Sequence, residues 1–217
     1  MTKLRMISVM CSIVALSVGL AHEVRAADAA VPAGATPAIT TLDNLQAAYQ
    51  GESNAKARYE AFAVKADEEG YKSVAALFRA AAHSEGIHAN KHGAALKELG
   101  VASQATVEKP VVKSTQDNLE AALGGETAEK TSMYPAFIKQ AEADKNLGAA
   151  RSFKGAMASE AGHVLLFKEA LGNLNEWKAA GQEFIVCQIC GYTAKNTATL
   201  QKCPVCAAPR LKFDIFK

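Results

Sequence analysis

Four segments of this 217-residue chain carry acidic and histidine side chains at a spacing suited to metal ligation. They are Glu52 alone, Glu85-x-x-His88, Glu126-x-x-Glu129 and Glu160-x-x-His163. Two Cys-x-x-Cys knuckles follow near the end, Cys187-Gln-Ile-Cys190 and Cys203-Pro-Val-Cys206. Residues three apart on a helix share a face, so each Glu-x-x-His pair can converge on one point. One such pair is commonplace on a solvated helix. Two pairs, with acidic partners on two further segments, imply a carboxylate-bridged dinuclear site. Without a cation, clustered carboxylates in a core would repel one another and lose their hydration, and imidazole with carboxylate suits iron or manganese. The four thiolates suit a tetrahedral site for zinc or for a single iron. A pair of disulfides is the alternative in an exported protein, although the Cys-x-x-Cys spacing is poor for it. Two unlike metal sites in one chain point to redox chemistry.

Several neighbours of these ligands have two readings. Glu129 is a seventh candidate ligand for a six-ligand recipe, either an exposed acid or a competitor of His88 for one metal ion as the oxidation state changes. Tyr59 and Tyr134 lie seven and eight residues after Glu52 and Glu126. They can turn inward to hydrogen-bond carboxylate ligands, or serve as ordinary core aromatics. His83 and His92 have no partner motif and read as surface or packing residues. Gly124 and Gly125 weaken a helix, which suggests close approach of backbone or ligands there.

The elements that must position these groups are helices. The first is expected from about Thr41 to Glu69, capped by Thr40 or Thr41 and ended by Gly70. The second spans about Lys72 to Leu99 and stops at Gly100. The third begins after Ser114, with Asp117 three residues on, and continues to about Ala143. The fourth runs from about Leu147 to Leu171. Short connections at Gly70 and at Asp144–Asn146 make the first and second helices, and the third and fourth, antiparallel hairpins, and Gly100–Lys113 is long enough to cross back along the bundle. Two hairpins and one long crossover form the ferritin-like four-helix arrangement. Beyond Glu183 helical periodicity disappears. The expected fold is mainly α, with a ferritin-like bundle over residues 39–180 and a small metal-knuckle β domain over 181–217.

The N-terminus has another task. Lys3 and Arg5 precede an apolar run from Met6 to Ala21, and small residues end at Ala26. That is the layout of an export signal over residues 1–26, with an uncleaved anchor as the alternative. Cys11 is a passenger within it, and residues 27–38 read as a flexible lead-in. The formal charge of +2 resides wholly in the signal, where Lys3, Arg5 and Arg25 face only Glu23. A neutral remainder gives no electrostatic footprint for nucleic acid, and no membrane span is expected once the signal is removed.

From about residue 40 onward the chain resembles the rubrerythrins. The likeness is carried by Gly51-Glu52-Ser53 through Arg58-Tyr59, Glu85-Gly86-Ile87-His88-Ala89, Gly125-Glu126-Thr127-Ala128-Glu129, Met133-Tyr134-Pro135, Glu160-Ala161-Gly162-His163 and both knuckles. The resemblance implies a non-haem peroxidase that reduces hydrogen peroxide to water at a di-iron centre held by Glu52, Glu85, His88, Glu126, Glu129, Glu160 and His163. Glu85 and Glu160, or a similar pair, would bridge, a carboxylate near the cluster such as Glu52 would shuttle protons, and Glu129 and His88 would exchange. It further implies a rubredoxin-like domain whose mononuclear iron on Cys187, Cys190, Cys203 and Cys206 passes electrons on, usually to the partner subunit of a head-to-tail homodimer. An exported member would need a periplasmic donor such as a c-type cytochrome. The competing classes are a ferritin-type ferroxidase and an electron-transfer protein without turnover, with zinc in the thiolate site.

Overall fold

The computed structural model describes residues 40–178 and 181–217. The signal and lead-in expected over residues 1–38, Cys11 included, lie outside the described residues. Helix α1 covers Thr41–Glu68, α2 Lys72–Glu98, α3 Thr115–Ala128, α4 Tyr134–Ala143 and α5 Leu147–Gly172. Among the described residues, no helix is long and apolar enough to cross a membrane. Each start has a local cause. Thr40 and Asp43 form a reciprocal capping box on α1, Ser114 accepts from the Asp117 amide at α3, and Asn146 accepts from Ala149 at α5, filling otherwise orphaned helix donors.

The crossover is held by a ladder of side-chain amides. Gln50 donates to Thr106 O at 2.7 Å and accepts from Thr106 N at 2.8 Å, and Asn54 accepts from Glu108 N at 3.0 Å. Gln46 makes the same pair of bonds with Gln104. Four helical residues rise about 6 Å and two extended residues about 6.6 Å. Positions 46, 50 and 54 therefore keep step with 104, 106 and 108.

The third helix departs from expectation. It is interrupted by a π-helical segment, Glu129–Met133, between α3 and α4. Pro135 supplies no N–H to the preceding turn, so the ordinary ladder cannot run through it, and one extra residue is accommodated in the wide turn. Gly124 and Gly125 have nothing within 4 Å of where a Cβ would lie. Among the described residues, the close approach expected of them is absent.

The bundle interior has three layers. Tyr59, Phe62, Phe78 and Phe167 form one apolar end, and Leu45, Leu96, Tyr134, Ile138 and Phe153 form the other. Between them α1, α2, α3 and α5 contribute their ligand-type residues, so the polar layer is clamped by packed hydrocarbon on both sides.

After α5, Trp177 packs on Phe184 with ring centroids 5.8 Å apart. Strands β1 (Phe184–Cys187), β2 (Thr193–Lys195) and β3 (Phe213–Phe216) then form an antiparallel sheet in the order β2-β1-β3. Strand β1 is buried on both faces. Phe184 and Val186 join the bundle core, while Ile185 and Cys187 join the knuckle core, the alternation a strand imposes.

The two knuckles are near-copies. Gly191 N donates to Cys187 O and Ala207 N to Cys203 O, both at 2.9 Å. The residue after each second cysteine is left-handed, φ +84° at Gly191 and +60° at Ala207. Only glycine adopts this conformation without strain, so Ala207→Gly is expected to stabilise the domain by about 1 kcal/mol. A chemical denaturation curve followed at the metal-thiolate absorbance measures it, and an unchanged or lower midpoint would contradict the argument.

Candidate metal centre

The middle layer of the bundle gathers six of the seven expected ligands. Glu52, Glu85, His88 and Glu160 form one group and Glu85, Glu126, Glu160 and His163 a second, with one donor atom from each residue within 4.8 Å of the others in its group. Glu85 and Glu160 belong to both. The arrangement is thus two adjoining half-sites, each with one imidazole and one private carboxylate, joined by two shared carboxylates. His88 Nδ1 lies 2.9 Å from both Glu85 Oε2 and Glu160 Oε1. His163 Nδ1 lies 2.7 Å from Glu160 Oε2 and 3.2 Å from Glu85 Oε1 and Glu126 Oε2. All six residues are buried.

The donor set fits a pair of cations. Glu52 Oε2 is buried without a hydrogen-bond partner, and Glu85 Oε1 and both oxygens of Glu160 have the ligand imidazole nitrogens beside them rather than a well-aligned donor. Orphaned carboxylate oxygens facing one another are costly unless a cation lies among them.

The expected inward turn of the tyrosines is present, and it is reciprocal. Tyr59 of α1 donates to Glu126 Oε1 on α3 at 2.6 Å, and Tyr134 of α4 donates to Glu52 Oε1 on α1. Each hairpin therefore orients the private carboxylate of the other. The π turn makes this symmetry possible: the spacing of eight from Glu126 to Tyr134, against seven from Glu52 to Tyr59, is the one extra residue it absorbs. Glu129, at the head of that turn, lies outside both ligand groups and is only partly buried.

His92 is a buried packing residue, one of the two readings expected, and it also makes two hydrogen bonds. It is fully buried, with Nδ1 2.8 Å from Ser152 Oγ and Nε2 3.1 Å from Tyr134 Oη. Its one signal in the sequence was position, one turn beyond His88 on the same face. His83 is half-exposed and ties α2 to β3, 3.0 Å from Asp214 Oδ2.

The four cysteine sulfurs also lie within 4.8 Å of one another. Cys187 and Cys206 are 3.6 Å apart and Cys190 and Cys203 3.5 Å. Those gaps are far beyond a disulfide bond of about 2.05 Å. They are close to the roughly 3.8 Å edge of a tetrahedron with metal–sulfur bonds of about 2.3 Å. Backbone N–H groups of Ile189 and Cys190 point at Cys187, that of Tyr192 at Cys190, and that of Ala208 at Cys206. Burial pushes the Cys187 thiol up to about 11, whereas at Cys206 the Ala208 amide and neighbouring thiols outweigh burial and lower it.

The knuckles rest directly on the carboxylate layer of their own chain. His88 Nε2 lies 3.1 Å from Cys190 O, and His163 Nε2 lies 3.0 Å from Thr193 Oγ1. Thr193 Oγ1 and Ser84 Oγ both donate to Gly191 O. The Thr193 proton is thus committed, so His163 donates from Nε2 and keeps Nδ1 bare for a metal. A carbonyl only accepts, which fixes His88 the same way. Gly191 makes the approach possible, since a Cβ there would lie 2.4 Å from His88 Nε2, and on the α5 side a Cβ on Gly162 would lie 2.9 Å from Thr193 O.

Without metal the layer holds protons. Burial disfavours the charged imidazole of His88, but Glu160 and Glu85 outweigh it and raise its pKa to about 10. Burial likewise opposes charge on His163, and Glu126, Glu85 and Glu160 raise it well above the ordinary range. Burial, then Glu85, Glu129 and Glu160, push Glu52 up. Burial and Glu160 also act upward on Glu85, yet His163 and His88 leave it lowered. A group whose folded pKa is raised stabilises the fold below its unfolded pKa and loses that contribution as pH climbs through the folded value. The metal-free protein is therefore expected to lose stability between about pH 6.5, the unfolded histidine value, and pH 10. Thermal unfolding across that range checks it. Iron binding should release protons and flatten the decline, and a metal-free Tm that rises with pH would refute the assignment.

Comparison with known proteins agrees with this geometry. A family model described as Rubrerythrin matches residues 43–171, and one described as Rubrerythrin, rubredoxin-like domain matches residues 186–214. Nigerythrin of Nitratidesulfovibrio vulgaris is 36% identical over 178 residues, covering 82% of this chain and 87% of the relative. Rubrerythrin-2 of Clostridium acetobutylicum is 35% identical over 179 residues, covering 81% and 96%. A nigerythrin structure in a fully reduced, all-ferrous state superposes with a TM-score of 0.77 at 36% identity, covering 85% of this chain and 91% of that one. The cofactors that go with the two domains are a non-haem di-iron centre and a mononuclear iron on four cysteines. Residues 40 to the end fold, pack and gather ligands accordingly, and the chain belongs to the rubrerythrin family.

Proposed function

We propose that this protein is a peroxidase that reduces hydrogen peroxide to water at the carboxylate-bridged iron pair, with electrons supplied by its own tetrathiolate iron. Bound there, the iron pair would supply electrons and polarise the peroxide oxygens. Glu85 and Glu160 would hold the pair together, with Glu52 and His88 completing one half-site and Glu126 and His163 the other. Tyr59 and Tyr134 hold the private carboxylates in place. Glu52 is raised by burial and by Glu85, which suits it to take up and give back a proton beside the reacting oxygens.

One side chain carries the assignment. His88 has Nδ1 in the carboxylate layer and Nε2 on the carbonyl of Cys190, so a single imidazole and one peptide unit separate a thiolate ligand from the buried centre. A ferritin-type storage role has no use for a one-electron centre docked on its ferroxidase site. An iron-loaded Cys206→Ser variant is expected to lose steady-state peroxide turnover while its reduced bundle site is still oxidised once by stoichiometric peroxide. Stopped-flow absorbance measures both. Loss of the single oxidation, or full turnover in the variant, would refute this division of labour.

Glu129 fits an exchange with His88. It stands outside the ligand groups at the head of the π turn, where the looser backbone gives it freedom to swing, and burial and Glu126 raise its pKa. In the arrangement described, His88 occupies the layer.

We further propose that the protein acts in the periplasm, on the strength of the charged and apolar pattern of residues 1–26. Its electrons would then come from a periplasmic carrier such as a c-type cytochrome. N-terminal sequencing of the protein from the envelope fraction is expected to start at Ala27. Recovery of the chain from the cytosol with residues 1–26 attached would overturn the proposal.

A further inference from the structure

Metal holding and electron delivery leave two buried groups unexplained, His92 and Ser152. A hydrocarbon ring would pack at position 92 as well as imidazole does, since Phe153 and Tyr134 lie 5.4 and 5.9 Å from it, centroid to centroid. Burying an imidazole there has a cost that its two hydrogen bonds must offset. Those bonds lie in a line. Ser152 Oγ is 2.8 Å from His92 Nδ1, His92 Nε2 is 3.1 Å from Tyr134 Oη, and Tyr134 donates to Glu52 Oε1.

The polarity of the line is fixed from its inner end. A carboxylate without a proton can only accept, so Tyr134 gives it the phenolic proton and must accept from His92 Nε2–H. His92 Nδ1 is then bare and accepts from Ser152. Every donor points toward the metal centre. Burial disfavours the charged imidazole of His92, so the ring is neutral, as a line of single donors requires. The outer end reaches a crevice of about 570 Å³ between α2, α5 and the knuckles, lined by Ser152 together with Lys91, Arg151, Gly155, Ile189 and Cys206. Ser152 is 8% exposed, whereas His92 and Tyr134 are fully enclosed.

We propose that Ser152, His92 and Tyr134 form a proton relay from this crevice to Glu52, a role that rests on the peroxide-reducing function proposed above. Reduction of one peroxide to two waters consumes two electrons, supplied through the tetrathiolate iron, and two protons, which a fully buried site must receive along hydrogen bonds. In one passage the phenolic proton moves to Glu52 Oε1, the His92 Nε2 proton to Tyr134, the hydroxyl proton of Ser152 to His92 Nδ1, and a solvent proton to Ser152. The three groups keep their resting protonation states. His92 is left as the other tautomer, with its proton on Nδ1, and the line is reset by exchange of that proton for one on Nε2 together with rotation of the two hydroxyls.

The test uses the full-length, iron-loaded protein, reduced without oxygen and mixed with peroxide in H2O and in D2O. Ser152→Ala and His92→Phe are each expected to slow the single oxidation by about 10- to 100-fold and to change its solvent isotope effect, with iron content and thiolate spectrum intact. Added imidazole is expected to restore the rate in His92→Gly and not in Ser152→Ala. A readout independent of turnover is the ¹⁵N spectrum of the zinc-loaded protein, where His92 is expected neutral with its proton on Nε2. An unchanged rate and isotope effect in fully loaded Ser152→Ala, or a His92 proton on Nδ1, would overturn the relay. Wild-type protein that peroxide does not oxidise would overturn the proposed function itself, a result separable from any variant's.

Discussion

Four carboxylates and two imidazoles are buried together at the waist of the bundle. Everything else in the structure is arranged around that concentration of buried charge. Two packed apolar ends, one built on Tyr59, Phe78 and Phe167 and the other on Leu45, Leu96 and Phe153, prevent the helices from spreading to hydrate it. Half of the opposition is relieved internally, since each protonated imidazole lies between carboxylates. The oxygens of Glu52, Glu85 and Glu160 without a well-aligned donor are the remainder, and only cations answer them. The same layer is therefore a stability defect when empty and the strongest cross-link of the bundle when filled.

That constraint also explains the reciprocity of the tyrosines. A private carboxylate needs a donor to hold its angle, and the neighbour best placed to give one sits on the opposite hairpin. Tyr59 and Tyr134 meet this need with unequal spacing, and the π turn absorbs the difference at the cost of a weakened backbone ladder. The surplus residue also gives the head of the turn to Glu129. A local irregularity thus supplies both a hydrogen bond to one ligand and a freer acid beside the site.

Much of this was legible in the chain itself. The four helices, the capping residues Thr40 and Ser114, the long crossover and the four-thiolate cluster all follow from spacing and residue type, whereas the shared roles of Glu85 and Glu160 were implied only by the family resemblance. Helical periodicity and metal-ligand chemistry act locally, so they leave local marks. The π turn left only a count of eight where seven stood elsewhere, which reads equally well as ordinary scatter along a face. His92 left less, because its partner Ser152 is sixty positions away and carries no motif of its own. Gly124 and Gly125 misled for the opposite reason: glycine marks several kinds of freedom, and nothing approaches them. Gly191, which the motif alone presents as a knuckle turn, also proved to be the point of contact between the two metal domains.

That contact binds the chemistry of the two centres together. Each imidazole ligand has its inward nitrogen on the carboxylate layer and its outward nitrogen on the knuckle domain, His88 at Cys190 O and His163 at Thr193 Oγ1. Neither ring can leave its half-site without abandoning a buried partner on the other side. An exchange in which Glu129 takes the place of His88 would therefore withdraw the donor from Cys190 at the same moment. The ligand change and the link to the tetrathiolate centre are one movement of one ring.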